Sequence, residues 1–105
     1  MYRATTPTHT FTLPDNTSLY DEIQVTYKQK DLMLVKHYQD GTLPDGMVLD
    51  GKDVIITLTQ TETLAFVKNC PVHAQVRVLT TNGQALASQQ FTIKITDVLN
   101  EEVLG

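Results

Sequence analysis

The side chains in this sequence best equipped for chemistry are three histidines, His9, His37 and His73, one cysteine, Cys70, and twelve carboxylates. Metal sites draw on histidines and carboxylates at short, regular spacings. These three histidines fall on three strand-like segments far apart in the chain, with no acidic cluster beside them. That spacing predicts no metal ligand set. Cys70 precedes Pro71 and has Lys68 two residues earlier, and a nearby cation lowers a thiol pKa. A nucleophile also needs a placed base and oxyanion donors, which His73 alone does not supply. Cys70 therefore reads as an incidental thiol.

The acidic residues Asp15, Asp21, Glu22, Asp31, Asp40, Asp45, Asp50 and Asp53 invite a carboxylate-pair or calcium reading. Three of them stand in Asp40-Gly41, Asp45-Gly46 and Asp50-Gly51, dipeptides that satisfy backbone donors and supply positive φ in turns. No segment repeats the alternating Asp ligands and closing Glu of a calcium loop. Glycine-rich phosphate cradles and the serine elbow of hydrolases are absent as well. Four tyrosines, Tyr2, Tyr20, Tyr27 and Tyr38, could stack sugars or bases, but Tyr27 continues the apolar Ile23/Val25 face and no single platform emerges. The residues thus predict no enzyme, no cofactor and no catalytic, cofactor-binding or metal site.

Charge narrows the partners. Eight Lys and Arg against twelve Asp and Glu leave a net charge of −4, the wrong sign for a protein that works by neutralising phosphates, so nucleic acid is not an expected partner. No stretch approaches the roughly 20 apolar residues of a membrane span, and the polar start Met1-Tyr2-Arg3-Ala4-Thr5-Thr6-Pro7 lacks the apolar core of a signal peptide. A protein soluble in the cytoplasm is expected. One cysteine permits no internal disulfide.

The elements that must position these residues are strands. Thr, Val and Ile make up nearly a third of the 105 residues, and β-branched side chains fit a pleated surface better than a helix. Apolar and polar residues alternate through His9–Leu13 and Ile23–Tyr27, the apolar run Leu32–Val35 begins the second half of a hairpin, and Asp53–Thr59 reads as a central or two-sided strand with Val54, Ile56 and Leu58 on one face. A short strand at Met47–Leu49 interrupts a Gly- and Asp-rich loop. Val72–Thr80 and Ala85–Ile95 read as a hairpin closed by Asn82-Gly83, the dipeptide of a two-residue type I′ turn. Thr59…Glu62 has capping-box spacing and predicts one helical turn that crosses between sheets, with Leu64 and Phe66 plugging the core. Seven strands without alternating long helices predict an all-β fold, an antiparallel immunoglobulin-like β-sandwich with one short helical turn. Residues 1–105 form one domain in this reading, with a flexible arm at 1–8 and a tail at 97–105 that is either flexible or a short amphipathic helix.

Three segments carry a resemblance. Tyr2-Arg3-Ala4-Thr5-Thr6-Pro7-Thr8-His9-Thr10-Phe11-Thr12-Leu13-Pro14 resembles the opening of a family of short uncharacterised proteins encoded by bacteriophages and prophages of Firmicutes. Gln75–Ser88 looks like that family's late hairpin, and Leu99–Leu104 like its closing segment. The family's opening usually has Gly where Ala4 stands. The resemblance implies a non-enzymatic phage structural or assembly protein, made in the host bacterial cytoplasm and either entering the virion or acting before packaging. Its implied partners are other copies of itself or other phage structural proteins, with the arm and tail ordering against neighbours. The alternative is a binding module that recognises a host glycan or protein through the loops Asp40–Lys52 and Thr81–Gln84.

Overall fold

Side chains that are apolar at every second position need cover on one face only, and two sheets facing each other provide it. The computed structural model describes residues 1–105 as eight strands in two antiparallel sheets. Strands β1 (Thr8–Thr12), β5 (Asp53–Thr57) and β4 (Met47–Asp50) form the smaller sheet, in the order β1-β5-β4. The larger sheet runs β3 (Leu32–Tyr38), β2 (Tyr20–Gln29), β6 (Val72–Thr80), with β7 (Ala85–Ala87) and β8 (Phe91–Ile93) both pairing along β6. The fold is the all-β antiparallel sandwich expected from the alternation, with eight strands rather than seven. No helix is long and apolar enough to cross a membrane.

The inner faces are the ones the periodicity marks. Ile23, Val25 and Tyr27 of β2, Val72, Ala74 and Val76 of β6, and Val54, Ile56 and the following Leu58 are buried together. Phe11, Leu13, Met47, Phe66 and Ile95 close the ends of this core. Each such side chain contributes about 1.5–3 kcal/mol by leaving water. The helical turn α1 (Gln60–Leu64) lies between β5 and β6 and so crosses from one sheet to the other, with Phe66 buried behind it. Its capping box is complete: Glu62 N–H donates to Thr59 Oγ1 at 3.1 Å, and Thr59 N–H donates to Glu62 Oε1 at 2.9 Å.

Three local expectations change. The Val72–Thr80 hairpin does not close with a type I′ turn. Gly83 has φ +87°, but Asn82 stays out of the left-handed region. Gly83 N–H donates to the Thr80 carbonyl and Thr80 N–H to the Gln84 carbonyl, so the loop has three residues and ends in a glycine bulge. The two-residue turn with both positions at positive φ occurs instead at Asp40-Gly41, between the bridged residues Gln39 and Thr42.

The run Ala85–Ile95 is also broken. Arg77 pairs with Ala87 but Ala74 pairs with Phe91, so one extra residue is accommodated around Ser88–Gln90. Ser88 accepts the Val76 N–H on its hydroxyl at 3.0 Å there. Finally, the strand expected over Asp53–Thr59 ends at Thr57, because Thr59 turns away to cap α1.

Residues 96–105 form no helix. They run beside the opening segment, with Tyr2 bridged to Thr96 and Arg3 at the centre. Arg3 donates to the carbonyls of Phe66 (2.7 Å) and Leu64 (2.9 Å) and pairs with Asp97 (2.9 Å) and Glu101. Those carbonyls belong to the end of α1 and its exit, where helical carbonyls lack internal donors. One side chain thus ties the start of the chain, the helix end and the tail together.

Candidate functional site

Strands β2, β3 and β6 turn one set of side chains inward, so the alternate set must face water. The register fixes who stands beside whom on that outer face. Lys28 is opposite Met33 on one side and His73 on the other; Thr26 lies between Val35 and Gln75, and Gln24 between His37 and Arg77. Lys30, at φ +52° in the β2–β3 turn, extends the row beyond Lys28. Lys28, Lys30, Arg77, His73 and Met33, with Thr26 and the amides of Gln24, Gln75 and Gln90, line a shallow concavity of about 450 Å³.

The electrostatics of this face are one-sided. Arg3, Lys36 and Lys68 each hold a carboxylate elsewhere in the fold, whereas Lys28, Lys30 and Arg77 form no ion pair. No carboxylate lines the concavity. Glu22, which lines the adjoining hollow with Arg77, is held by His37 at 2.8 Å. Gln75 is fixed by its Nε2 donating to the Ser88 carbonyl at 2.8 Å. An unpaired group of cations with amides and a hydroxyl between them is suited to bind carboxylates by charge-assisted hydrogen bonds. It holds no nucleophile and no general base poised against one.

The titratable groups inside the sandwich make the contrast. Lys36 follows Leu32 and Leu34 on the inner phase of β3 and pairs with Glu62 at 2.7 Å, both side chains largely covered. Burial works against the Glu62 charge, but the hydrogen bonds from Lys36 and Thr59 outweigh it and hold the carboxyl below its ordinary range. Tyr27, fully buried, meets His9 Nδ1 through its hydroxyl at 2.8 Å. Burial lowers the His9 pKa, and burial together with the Glu62 charge raises that of Tyr27, so the pair is a neutral imidazole and a protonated phenol. No buried side-chain polar atom in the structure lacks a partner. This interior cluster uses its hydrogen bonds on itself.

The other sequence candidates stay apart. His9, His37 and His73 lie on β1, β3 and β6, facing the interior, Glu22 and Thr92 respectively. No three His, Cys, Asp or Glu side chains converge in a way that could hold a metal ion. Cys70 is half-buried in the loop before β6, and Lys68 pairs with Asp97 at 3.5 Å. Gly41, Gly46 and Gly51 all have positive φ, so each Asp-Gly does turn chemistry. Tyr20 and Tyr27 are core and Tyr2 is exposed, which leaves no stacking platform.

The loops Asp40–Lys52 and Thr81–Gln84 meet only in part. Thr17 binds the Gly51 carbonyl and Leu19 receives the Thr81 N–H, which gathers Gly51 and Thr81 at one end of the sandwich. Within 40–52, Met47–Asp50 form strand β4, the short strand expected there extended by one residue.

Sequence reasoning overlooked three residues that matter. The inward phase of β3 could have flagged Lys36, and the continuation of the Ile23/Val25/Tyr27 face could have flagged Gln29. The Gln29 amide binds the Val67 and Cys70 carbonyls and the Val67 N–H. Arg3 carried no comparable signal. No family model, no curated protein and no solved structure matches the chain.

Proposed function

We propose that this chain is a non-enzymatic structural or assembly protein of a bacteriophage or prophage, a module that joins protein surfaces in or on the way to the virion. The observation that carries the reading is the outer face of β2, β3 and β6. A chain with net charge −4 gathers three of its eight Lys and Arg there, together with His73, and spends none of them on an internal carboxylate. Charges that the fold does not use are available to a partner, and complementary charge gives an interface its specificity and speed. The resemblance of the opening and closing segments to phage-encoded proteins supports the virion setting. Exposed Leu99, Val103 and Leu104 on the tail add apolar surface for neighbours.

The glycan reading has less behind it, because sugars bind best against exposed aromatic rings and the concavity has none. The test is mass spectrometry of purified particles induced from the source strain. The reading expects the chain at a fixed ratio to the major capsid protein. Absence from particles, with expression confirmed in the cell, removes the virion assignment.

A further inference from the structure

The two sheets of the sandwich expose faces of opposite charge. On the smaller sheet the outward residues are Thr8, Thr10 and Thr12 of β1, Asp53, Ile55 and Thr57 of β5, and Val48 and Asp50 of β4. The register sets Asp50 opposite Asp53 and Val48 opposite Ile55. The connection that leads into β4 adds exposed Asp45 just before the strand, and Lys52 is the only cation between residues 40 and 53. The β4–β5 pair and its flanking turns therefore carry three carboxylates, Asp45, Asp50 and Asp53, against one amine, with the apolar pair Val48 and Ile55 between the strands. The opposite layer carries Lys28, Lys30 and Arg77, with the exposed apolar pair Met33 and Val35 on β3.

Each face thus has what the other lacks. Taking the assembly reading as its basis, we infer that the partner of the cationic face is a second copy of this chain, docking its acidic β4–β5 face. Carboxylates of Asp45, Asp50 and Asp53 approach Lys28, Lys30 and Arg77, while Val48 and Ile55 cover Met33 and Val35. Because the two surfaces differ, the contact is heterologous. Each copy keeps one free face, so copies stack into a ring if the rotation closes and into an open stack if it does not.

Like copies docking face to face with the same surface would instead set Lys28 and Arg77 against themselves, like charge against like. A second copy is also favoured over an unrelated acidic protein by the apolar pairs, which occur on both faces of the same molecule.

The test is a mixing experiment on the full chain. One variant reverses the cationic face, Lys28→Glu with Arg77→Glu; the other reverses the acidic face, Asp45→Lys with Asp50→Lys. None of Lys28, Arg77, Asp45 and Asp50 takes part in an ion pair, so circular dichroism should show both variants folded. Sedimentation velocity is run at low ionic strength and again near 1 M salt, where screening shortens to about 3 Å. The wild type should associate at low salt and dissociate at high salt. Each variant should need more than about tenfold higher concentration to self-associate. Their equimolar mixture should associate as the wild type does, since between unlike variants one contact is native and the other is charge-swapped yet still complementary.

A wild type that stays monomeric at low salt overturns the inference, and so does a mixture of folded variants that stays monomeric. If the wild-type chain is found in particles but is monomeric alone, the assembly reading stands and the second copy is the wrong partner. If it stacks in solution yet is absent from particles, the face pairing stands and the virion setting falls.

Discussion

Lys28 and Lys36 sit on adjacent, paired strands, and the fold treats them in opposite ways. Lys36 points inward from the edge strand β3, is almost fully covered, and meets Glu62 at 2.7 Å. Lys28 points outward from β2, stands beside His73, and has no carboxylate partner. An inward charge on an edge strand also discourages unwanted strand pairing. The difference teaches where each charge does its work. Lys36 belongs to stability, because removing either member of a covered ion pair strands the other. Lys28, with Lys30 and Arg77, contributes little to stability.

The sharpest way to break this comparison is to remove the inner partner. Glu62→Ala should cost about 3 kcal/mol or more in urea unfolding, since it strands Lys36 and also removes half of the capping box. The double change Lys36→Met with Glu62→Gln should recover much of that loss, because no unpaired charge remains. A single-variant cost below about 1 kcal/mol would mean that the pair is solvated and that the two lysines are alike.

Gly46→Ala comes next. Gly46 has φ +82°, and a Cβ there would meet the Thr57 carbonyl oxygen at 2.4 Å, a backbone contact that cannot rotate away. It should lose roughly 2 kcal/mol. The neighbouring Lys36 Nζ lies 3.9 Å from the same Cβ position, so this variant should also disturb the Lys36–Glu62 pair.

The interior should also report itself in the pH dependence of stability. His9 is depressed from 6.5 mainly by burial, so the unfolded chain takes up its proton first. Its contribution is whole above pH 6.5 and is lost as pH falls through the lower folded value. Glu62 is depressed from 4.5, so its contribution is whole above that pH and is lost as pH falls further. Thermal melts should therefore fall in two stages on acidification. His9→Gln should abolish the first stage, and Glu62→Gln should reduce the second, which Asp97 shares because desolvation there is outweighed by its hydrogen bond from Arg3.

Smaller effects come from single backbone positions. Gly83→Val should cost about 1 kcal/mol, since φ +87° is strained for a β-branched residue even though open space surrounds it. Ala4 has φ +58°, so Ala4→Gly should gain about 0.5–1 kcal/mol. The least change belongs to the outer face: Lys28→Glu with Arg77→Glu should alter unfolding by no more than about 0.5 kcal/mol.

Much of the framework was legible in the sequence because it is local. Val54/Ile56/Leu58 and Ile23/Val25/Tyr27 declare their buried faces by alternation, and Thr59…Glu62 declares a helix start by one spacing. The glycine bulge at Gly83 and the irregularity at Ser88–Gln90 were not legible, since turn type and bulge depend on how β6 pairs with β7 and β8. The candidate face was hidden for the same reason. Lys28, His73 and Arg77 become neighbours only when β2 pairs with β6, and no local pattern states that register. Arg3 was hidden too, because its partners at Leu64, Phe66, Asp97 and Glu101 are distant in the chain and meet only in the finished fold.

The central claim is that charge unused by the fold is used in assembly. The most direct measurement is the incorporation of wild type and the Lys28→Glu, Arg77→Glu variant into phage particles, quantified by mass spectrometry against the major capsid protein and normalised to each chain's level in the cell. The account predicts a fixed ratio for the wild type and strong depletion of an equally stable variant. Equal incorporation of the two chains would contradict it.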